Sequence, residues 1–528
     1  MFYPWMSGCT KEGVRTINDS LERMANVNGK FLTAWMEESK AAQLYFSGLF
    51  RYASTFFNPV PLALSTLSTV ERNKGDFSDP LSRAADFTSL LLSNLEMSQR
   101  ALLGGYRAMS AHRLTRFENL LASLRATLLG EEGAGIDEFM EAEARIMEHV
   151  VVGYPAAIQD IKDHYGFHFD DGGYELVAET GRFLLYQVLP TDPGVEVNTG
   201  GKPMVIIPPY VLGPHILAFL PGEHRSFVHC FANHGIPTYV RIVKDIDVTP
   251  AVQTMTGEDD ALDTKLFCQT VKDRHGRAAT LCGYCQGGYF AVIDYLSGEL
   301  DGVVDALITC VAPMDGTQSE SLKGFLDKFP KRYQSLDYAI KKLPNGNEVV
   351  DGKMMSWVYK LASIEDENPI SSFFSDLSLL SKDGAPARIS KTAAAINYWL
   401  LFDQRDLPVE TTRLSFQSYT VPVTDDGELP VTLFGRKLNF KRIGEKKVPW
   451  MICVAERDNL VEEEAALAPL KYVRAEKAVF PKGHAAIATS WSMPTSECSL
   501  QACLFGGGKY RGPVAFHLDI EHMMDRAR

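Results

Sequence analysis

The feature that most constrains the fold of this chain is a series of short apolar runs between residues 204 and 480, each ending in glycine, proline or a polar residue. Segments with a helical pattern, such as residues 264–272, separate most of these runs. Strands of a parallel sheet are buried on both faces and therefore read as nearly continuous apolar runs. The alternation predicts a mostly parallel sheet covered by helices on both faces. The runs start at Met204, Thr238, Ala278, Ala306, Trp450 and Ala478, and residues 174–180 and 183–188 precede them as two paired strands.

The place where this alternation begins suggests the domain organisation. With 528 residues, the chain is too long for one ordinary domain. Residues 1–170 show helical periodicity and little strand-like alternation, which predicts an all-helical N-terminal domain. Residues 171–528 form the predicted α/β domain, in which the alternation is interrupted at about 315–441. We expect this interruption to be a cap insertion over the ends of the strands.

Composition and charge exclude several classes of protein. Hydrophobic residues make up 45% of the chain and charged residues 23%, which is an ordinary balance for a globular protein. The net charge of -13 disfavours general binding to nucleic acid or to anionic membranes. No uninterrupted apolar run of about 18 residues occurs, so no transmembrane segment is expected. The nine cysteines are odd in number and dispersed, which is typical of reduced thiols in a cytoplasmic protein.

The histidines give no indication of a metal site. His224, His229 and His234 follow one another at intervals of 5 residues, which does not place them on one helical face. We therefore expect neither a metal ion nor a cofactor.

The most informative motif is Gly283-Tyr284-Cys285-Gln286-Gly287-Gly288, which follows an apolar run and precedes a helical segment at 289–296. A nucleophile on a sharp strand-to-helix turn needs small neighbours, because adjacent backbone passes close to it. The N-terminus of the following helix stabilises negative charge on the sulfur. The motif predicts a nucleophile elbow in which Cys285 replaces the usual serine, and with it an α/β-hydrolase fold.

A second interpretation of this segment is a redox dithiol, because Cys282 and Cys285 form a Cys-x-x-Cys pair. A thioredoxin-like unit is small, however, and does not require the downstream residues described next. Cys282 fits better as the last buried residue of the strand.

The candidate acid and base follow the cysteine in the order expected for an α/β-hydrolase triad. Asp458 comes just after the apolar run that starts at Trp450, and His484 lies in a Gly-His turn after the next short strand. Asp458 would hold the tautomer of His484, and His484 would take the proton of Cys285. Glu456 is the alternative acid.

Taken together, these segments resemble the polyhydroxyalkanoate synthases over roughly residues 170–490. The Pro-Pro turn after the first core strand, the Gly-x-Cys-x-Gly-Gly box, the segment ending in Leu-Pro, the catalytic-Asp segment and the Gly-His-x-Ala segment of that family all have counterparts. They are found at residues 207–211, 283–288, 403–408, 457–461 and 483–486. The chain departs from the family at Asn459, where synthases usually carry histidine, and at Tyr289, where a small threonine is usual.

The resemblance implies an acyltransferase whose substrate is a 3-hydroxyacyl-CoA. Cys285 would take the acyl group from CoA, and His484 would activate the incoming hydroxyl of a polyester chain or of a simple alcohol. The tetrahedral oxyanion would be held by the N–H groups of Gln286 and of Tyr210 or Val211. A polyester granule surface and a second copy of the chain are the candidate partners that the family suggests.

Two other functions stay open at this point. A cysteine hydrolase, such as a depolymerase, a thioesterase or a dienelactone-hydrolase-like enzyme, would use the same triad. The dienelactone hydrolases share the Gly-Tyr-Cys-x-Gly-Gly elbow but are small and lack the helical region and the cap. A noncatalytic granule-associated protein belongs to a different class, and an intact triad argues against it.

Overall fold

The computed structural model describes residues 3–52, 80–211, 213–321, 335–355, 368–381, 389–493, 495–496 and 516–518. The chain divides into two compact units. The first is drawn from Met1–Thr66, Asn94–Asp160 and Ser363–Ala394, and the second from Leu67–Ser93, Ile161–Ala362 and Ala395–Arg528. The second unit contains every candidate site residue. The domain boundary at residue 170 and the cap at 315–441 stay predictions.

Helices alternate with strands along most of the second unit, as the sequence predicts. The strands are β1 (Tyr174–Glu179), β2 (Phe183–Val188), β3 (Met204–Ile207), β4 (Thr238–Val243), β5 (Ala279–Tyr284), β6 (Val304–Cys310), β7 (Ile340–Lys342), β8 (Glu348–Val350), β9 (Leu407–Pro408), β10 (Glu428–Leu433), β11 (Arg436–Asn439), β12 (Trp450–Ala455) and β13 (Glu476–Phe480). The helices are α1 (Tyr3–Tyr52), α2 (Pro80–Leu129), α3 (Ile136–Glu148), α4 (Tyr154–Asp160), α5 (Phe227–Ala232), α6 (Pro250–Gln253), α7 (Gly257–His275), α8 (Gln286–Ser297), α9 (Pro369–Ser381), α10 (Lys391–Phe402), α11 (Val409–Thr420), α12 (Lys441–Glu445), α13 (Glu463–Leu467) and α14 (Ala486–Thr489).

The core of the first unit lies where α1, α3 and α9 pack together. Helix α3 is amphipathic, and its apolar side continues into a π-helical segment, His149–Gly153. Val150 and Val151 of that segment are buried against Phe373 and Phe374 of α9. The helical character predicted for the N-terminal region is therefore present in its described part.

The central sheet of the second unit has eight strands in the order β1-β2-β4-β3-β5-β6-β12-β13. The six strands from β4 to β13 are parallel to one another, and β1 and β2 are antiparallel to their neighbours. All four residues of β3 and all six of β5 are buried, as expected for strands covered on both faces. The predicted α/β class is confirmed.

Several elements differ in length from their predicted bounds, among them α7 and β5. Helix α7 begins at Gly257 rather than near residue 264, because Thr256 caps it by accepting the Asp259 N–H at 3.1 Å. Strand β5 continues beyond Cys282 to Tyr284, so that Cys282 lies inside the strand and not at its end.

Within residues 315–441 the described part contains small sheets and helices that do not extend the central sheet. Strands β7, β8 and β9 form a three-stranded antiparallel sheet. Strands β10 and β11 form a hairpin whose turn residues, Phe434 and Gly435, both have positive φ, at 52° and 68°. Two-residue hairpin turns of this kind match the twist of the flanking strands.

No helix among the described residues is long and apolar enough to cross a membrane.

Candidate active site

Cys285 occupies a strained turn between the end of β5 and the first residue of α8. Its φ of 53° and ψ of -125° lie in a region that non-glycine residues rarely adopt. The Cys285 N–H donates to the carbonyl oxygen of Cys310 on β6, at 2.8 Å. Backbone strain of this type persists only where the surrounding structure holds it, and it is concentrated at functional sites.

The glycines around Cys285 are required by close backbone contacts. A Cβ on Gly287 would lie 2.3 Å from the carbonyl oxygen of Ile207 and 2.5 Å from that of Pro208. A Cβ on Gly283 would lie 2.4 Å from the carbonyl oxygen of Gly287. Since all these atoms belong to the backbone, no side-chain rotation could relieve the clash. The N-terminus of α8 can therefore lie against the end of β3 only if these positions are glycine.

Asp458 and His484 form a hydrogen-bonded pair at the carboxyl ends of β12 and β13. The Nδ1 atom of His484 lies 2.8 Å from Oδ2 of Asp458. The other carboxylate oxygen, Oδ1, accepts the N–H groups of Leu460 and Val461, at 3.0 and 2.9 Å. The Asp458 side chain is fully buried, so each of its oxygens has a fixed set of donors. This geometry fixes the orientation of the carboxylate towards the imidazole.

Cys285 lies close enough to His484 to change its protonation. Burial alone would lower the pKa of His484, but the Cys285 sulfur and the Asp458 carboxylate outweigh burial and raise the pKa to about 10. Among the described residues, the buried Nε2 atom has no hydrogen-bond partner of ordinary geometry. The residue before Cys285 also contacts the backbone of His484, because the Tyr284 hydroxyl donates a hydrogen bond to the carbonyl oxygen of His484 at 2.7 Å. The structure thus brings Cys285, Asp458 and His484 together.

The protonation of His484 should depend on the sulfur. In the wild-type protein the imidazole should stay protonated through neutral pH, and in Cys285→Ala its pKa should fall because the Cys285 sulfur no longer offsets the effect of burial. Titration of the histidine ring resonances by NMR measures both values. His234, whose pKa is lowered mainly by burial, serves as an internal reference that the substitution should not move. Identical His484 titrations in the two proteins would contradict an interaction with the sulfur.

The predicted oxyanion donors that follow β3 are hydrogen-bonded to a side chain of the same protein. The N–H groups of Tyr210 and Val211 donate to Oε1 of Gln286, at 3.2 and 3.0 Å. Gln286 is the first residue of α8, and a backbone N–H at that position has no acceptor within the helix. The three predicted residues therefore lie beside Cys285, with the Gln286 side chain bound to the other two.

A buried ion pair lies behind the turn after β3 that carries the Tyr210 and Val211 N–H groups, here called the Tyr210 turn. This pair was not predicted from the sequence. Arg241 on β4 pairs with Asp260 on α7, and their side chains are 2% and 0% exposed. The Tyr210 hydroxyl donates to Asp260 and accepts from Arg241 at 3.1 Å. An arginine in the middle of an otherwise apolar strand is a signal in the sequence that could have indicated such a pair, because buried charges require partners.

A second polar cluster lies next to the Tyr210 turn. Asp403 accepts the Tyr165 hydroxyl at 3.2 Å and approaches Gly213, where an added Cβ would be 3.3 Å from its carboxylate oxygens. Burial raises the pKa of Asp403 to about 6, against the opposing effect of Arg405. Arg405 in turn lies 3.2 Å from Nε2 of His215. The segment 403–408, which resembles a segment of the polyhydroxyalkanoate synthases, thus lies close to the Tyr210 turn.

The alternatives raised by the sequence occupy less suitable positions. Glu456 is exposed, and no hydrogen bond joins it to His484 in the part of the chain that the structure describes. Cys282 is fully buried within β5, where it lies near Cys310 on the neighbouring strand. This position favours a packing role for Cys282 over thiol–disulfide exchange, because an exchanging thiol must be accessible to the thiol or disulfide with which it reacts.

No protein-family model and no curated protein sequence matches this chain. Solved structures similar to it include a soluble variant of monoglyceride lipase from Saccharomyces cerevisiae, with 12% identity and a TM-score of 0.37 over 61% of this chain and 91% of that one. The thioesterase domain from the curacin biosynthetic pathway has 11% identity and a TM-score of 0.31 over 60% of this chain and 95% of that one. Proline iminopeptidase of Mycobacterium smegmatis has 10% identity and a TM-score of 0.31 over 59% and 92%.

The order of the sheet and the placement of the site decide the fold. The strained turn at Cys285 follows β5, Asp458 follows β12 and His484 follows β13. These are the places in the sheet where α/β-hydrolases carry their nucleophile, acid and histidine. With its eight-stranded, mostly parallel sheet, the second unit of this chain therefore has the α/β-hydrolase fold.

Proposed function

We propose that the protein is an acyltransferase of the polyhydroxyalkanoate synthase type, which moves a 3-hydroxyacyl group from CoA through a thioester on Cys285 to a hydroxyl. The observation that carries the proposal is the convergence of a cysteine at a strained elbow with a hydrogen-bonded His484–Asp458 pair. The resemblance of five segments to the synthases supplies the substrate class.

The first half-reaction forms the acyl-enzyme. With the pKa of His484 raised to about 10, the imidazole is protonated at neutral pH, and the reactive form of the pair in this proposal is a Cys285 thiolate beside that imidazolium. The thiolate attacks the carbonyl carbon of the acyl-CoA and forms a tetrahedral oxyanion. Collapse of this intermediate breaks the bond to the CoA sulfur, and the imidazolium gives its proton to that sulfur. One thioester replaces another, so the step is nearly balanced in energy.

The second half-reaction transfers the acyl group. The now neutral His484 takes the proton of an incoming hydroxyl, whose oxygen attacks the Cys285 thioester. Collapse of the second tetrahedral intermediate expels the Cys285 thiolate and leaves the imidazolium, which restores the reactive pair. Asp458 stabilises the imidazolium in both halves, because its Oδ2 accepts the Nδ1–H bond.

The choice of nucleophile supports transfer over hydrolysis. A thioester keeps the acyl group activated for a second nucleophile, whereas a serine ester would lose that activation. Water competes with the incoming hydroxyl, so a transferase also needs its site covered. The predicted cap between residues 315 and 441 would provide this cover.

The test is incubation of the purified protein with 3-hydroxybutyryl-CoA while free CoA thiol, insoluble polyester and free 3-hydroxybutyrate are measured together. We expect thiol release accompanied by polyester, with little free acid. Thiol release with a matching amount of free acid would identify a hydrolase instead. If neither product forms, the acyltransferase proposal is wrong and a noncatalytic role gains support.

A further inference from the structure

The Tyr210 and Val211 N–H groups converge on one oxygen atom, Oε1 of Gln286. Two backbone donors aimed at a single oxygen are the arrangement that stabilises an oxyanion in acyl transfer. Gln286 directly follows the nucleophile and is only 4% exposed, so this arrangement lies within the site and away from solvent. A carboxamide oxygen is the same kind of acceptor as the carbonyl oxygen of a thioester.

The backbone that carries these donors is anchored from behind. The Tyr210 side chain ends in the buried Arg241–Asp260 pair, where its hydroxyl bonds to both partners. Moving the Tyr210 backbone would break the hydrogen bonds between its buried hydroxyl and both partners, which is unfavourable because buried polar groups would lose their partners. The Gln286 carboxamide has no such anchor among the described residues, where its Oε1 accepts hydrogen bonds only from the two N–H groups. When the donors change partner, the Gln286 side chain is therefore the group that moves.

We propose that the Gln286 side chain is an internal stand-in for the acyl oxygen of the substrate. Its Oε1 satisfies the Tyr210 and Val211 N–H groups in the free protein, and the acyl oxygen displaces it during reaction at Cys285. This inference rests on the proposed role of Cys285 as an acyl acceptor but not on CoA as the donor. Displacement becomes favourable as negative charge develops on the acyl oxygen, because hydrogen bonds to a charged acceptor are stronger than those to a neutral amide.

The test replaces the stand-in without changing its size greatly. Gln286→Met keeps an unbranched side chain of similar length but removes the strong acceptor, so the donors are free for the substrate. We expect the rate constant for acylation of Cys285 to rise about three- to tenfold, which corresponds to the loss of one or two competing hydrogen bonds. Gln286→Glu should lower that rate constant at least about tenfold, because a carboxylate holds the same donors more strongly and repels the developing oxyanion.

The rate of acylation is measured as the Cys285-dependent burst of p-nitrophenolate released from p-nitrophenyl butyrate. This activated ester does not require recognition of CoA. Tyr289→Phe is the matched control on α8, since the buried Tyr289 hydroxyl has no hydrogen-bond partner among the described residues. Its burst rate should equal that of the wild type. Thermal unfolding verifies that each variant is folded, and Gln286→Leu replaces the methionine variant if the latter is not.

The outcomes separate this inference from the proposed function. A folded Gln286→Met variant that is acylated at or below the wild-type rate would overturn the stand-in proposal. The Gln286 side chain would then serve to position the backbone that carries the two donors. A wild-type protein without any Cys285-dependent burst would overturn it as well. A normal burst with the ester, but no reaction with 3-hydroxybutyryl-CoA, leaves the stand-in intact and removes only the proposed acyl donor.

Discussion

Cys285→Ala is expected to abolish acyl transfer, lowering turnover by at least about a thousandfold, while the protein stays folded. The substitution removes the only atom that can carry the acyl group in the proposed reaction, and loss of a nucleophile leaves only binding and oxyanion stabilisation. Little packing is lost, because the side chain is small and partly exposed at the turn. Thiol release from 3-hydroxybutyryl-CoA measures turnover, and circular dichroism with thermal unfolding measures the fold.

Cys282→Ala is the matched control for this substitution. The Cys282 side chain is fully buried in β5, three positions before the elbow, so its truncation leaves a small cavity that costs about 1 kcal/mol of stability. Its turnover should nevertheless stay close to that of the wild type. Equal losses of activity in the two variants would favour the dithiol interpretation of Cys282 and Cys285. Full activity in Cys285→Ala would end the proposal for the nucleophile.

The parts of the structure that the sequence predicts are those that depend on local chemistry. Strand β3 coincides with the apolar run at Met204–Ile207, because a strand buried on both faces has no polar position. The elbow is predictable for a similar reason, since only glycine fits at 283 and 287 once backbone packs against both. The proximity of Asp458 and His484 is predictable because the two residues follow strands whose carboxyl ends meet at one edge of the sheet.

The parts that the sequence does not predict are contacts between distant segments. Arg241 and Asp260 are separated by 19 residues, and nothing local indicates that they meet behind the Tyr210 turn. The role of the Gln286 side chain is hidden for the same reason, because its acceptor oxygen meets donors that precede it by 75 and 76 residues. Such partners become visible only when the order of strands in the sheet is known.

Asp458→Asn should slow complete turnover by about 10²- to 10⁴-fold without preventing slow acylation of Cys285. In the wild-type protein Oδ1 accepts two backbone N–H groups and Oδ2 accepts from His484. An asparagine would keep its one oxygen on the backbone donors and turn its NH₂ group towards Nδ1. The favoured tautomer then carries its proton on Nε2, so His484 can no longer accept a proton there.

The two half-reactions respond differently to this change. A cysteine can form some thiolate without help, but the incoming hydroxyl needs a base, so the acyl-enzyme should accumulate in Asp458→Asn when it is mixed with acyl-CoA. Intact-protein mass spectrometry would show the added acyl mass, and peptide mapping would place it on Cys285. His484→Gln should be slower still, because both proton transfers depend on the imidazole.

Glu456→Gln separates the two candidate acids. Glu456 is exposed two residues before Asp458 and makes no hydrogen bond to His484 within the described residues, so this variant should keep nearly wild-type turnover. If Glu456→Gln is inactive while Asp458→Asn turns over normally, the assignment of the acid must be exchanged between them. If neither variant is impaired, the buried His484–Asp458 pair serves stability, and the base for the transfer step must be sought among other histidines, of which His215 and His234 are the first to test.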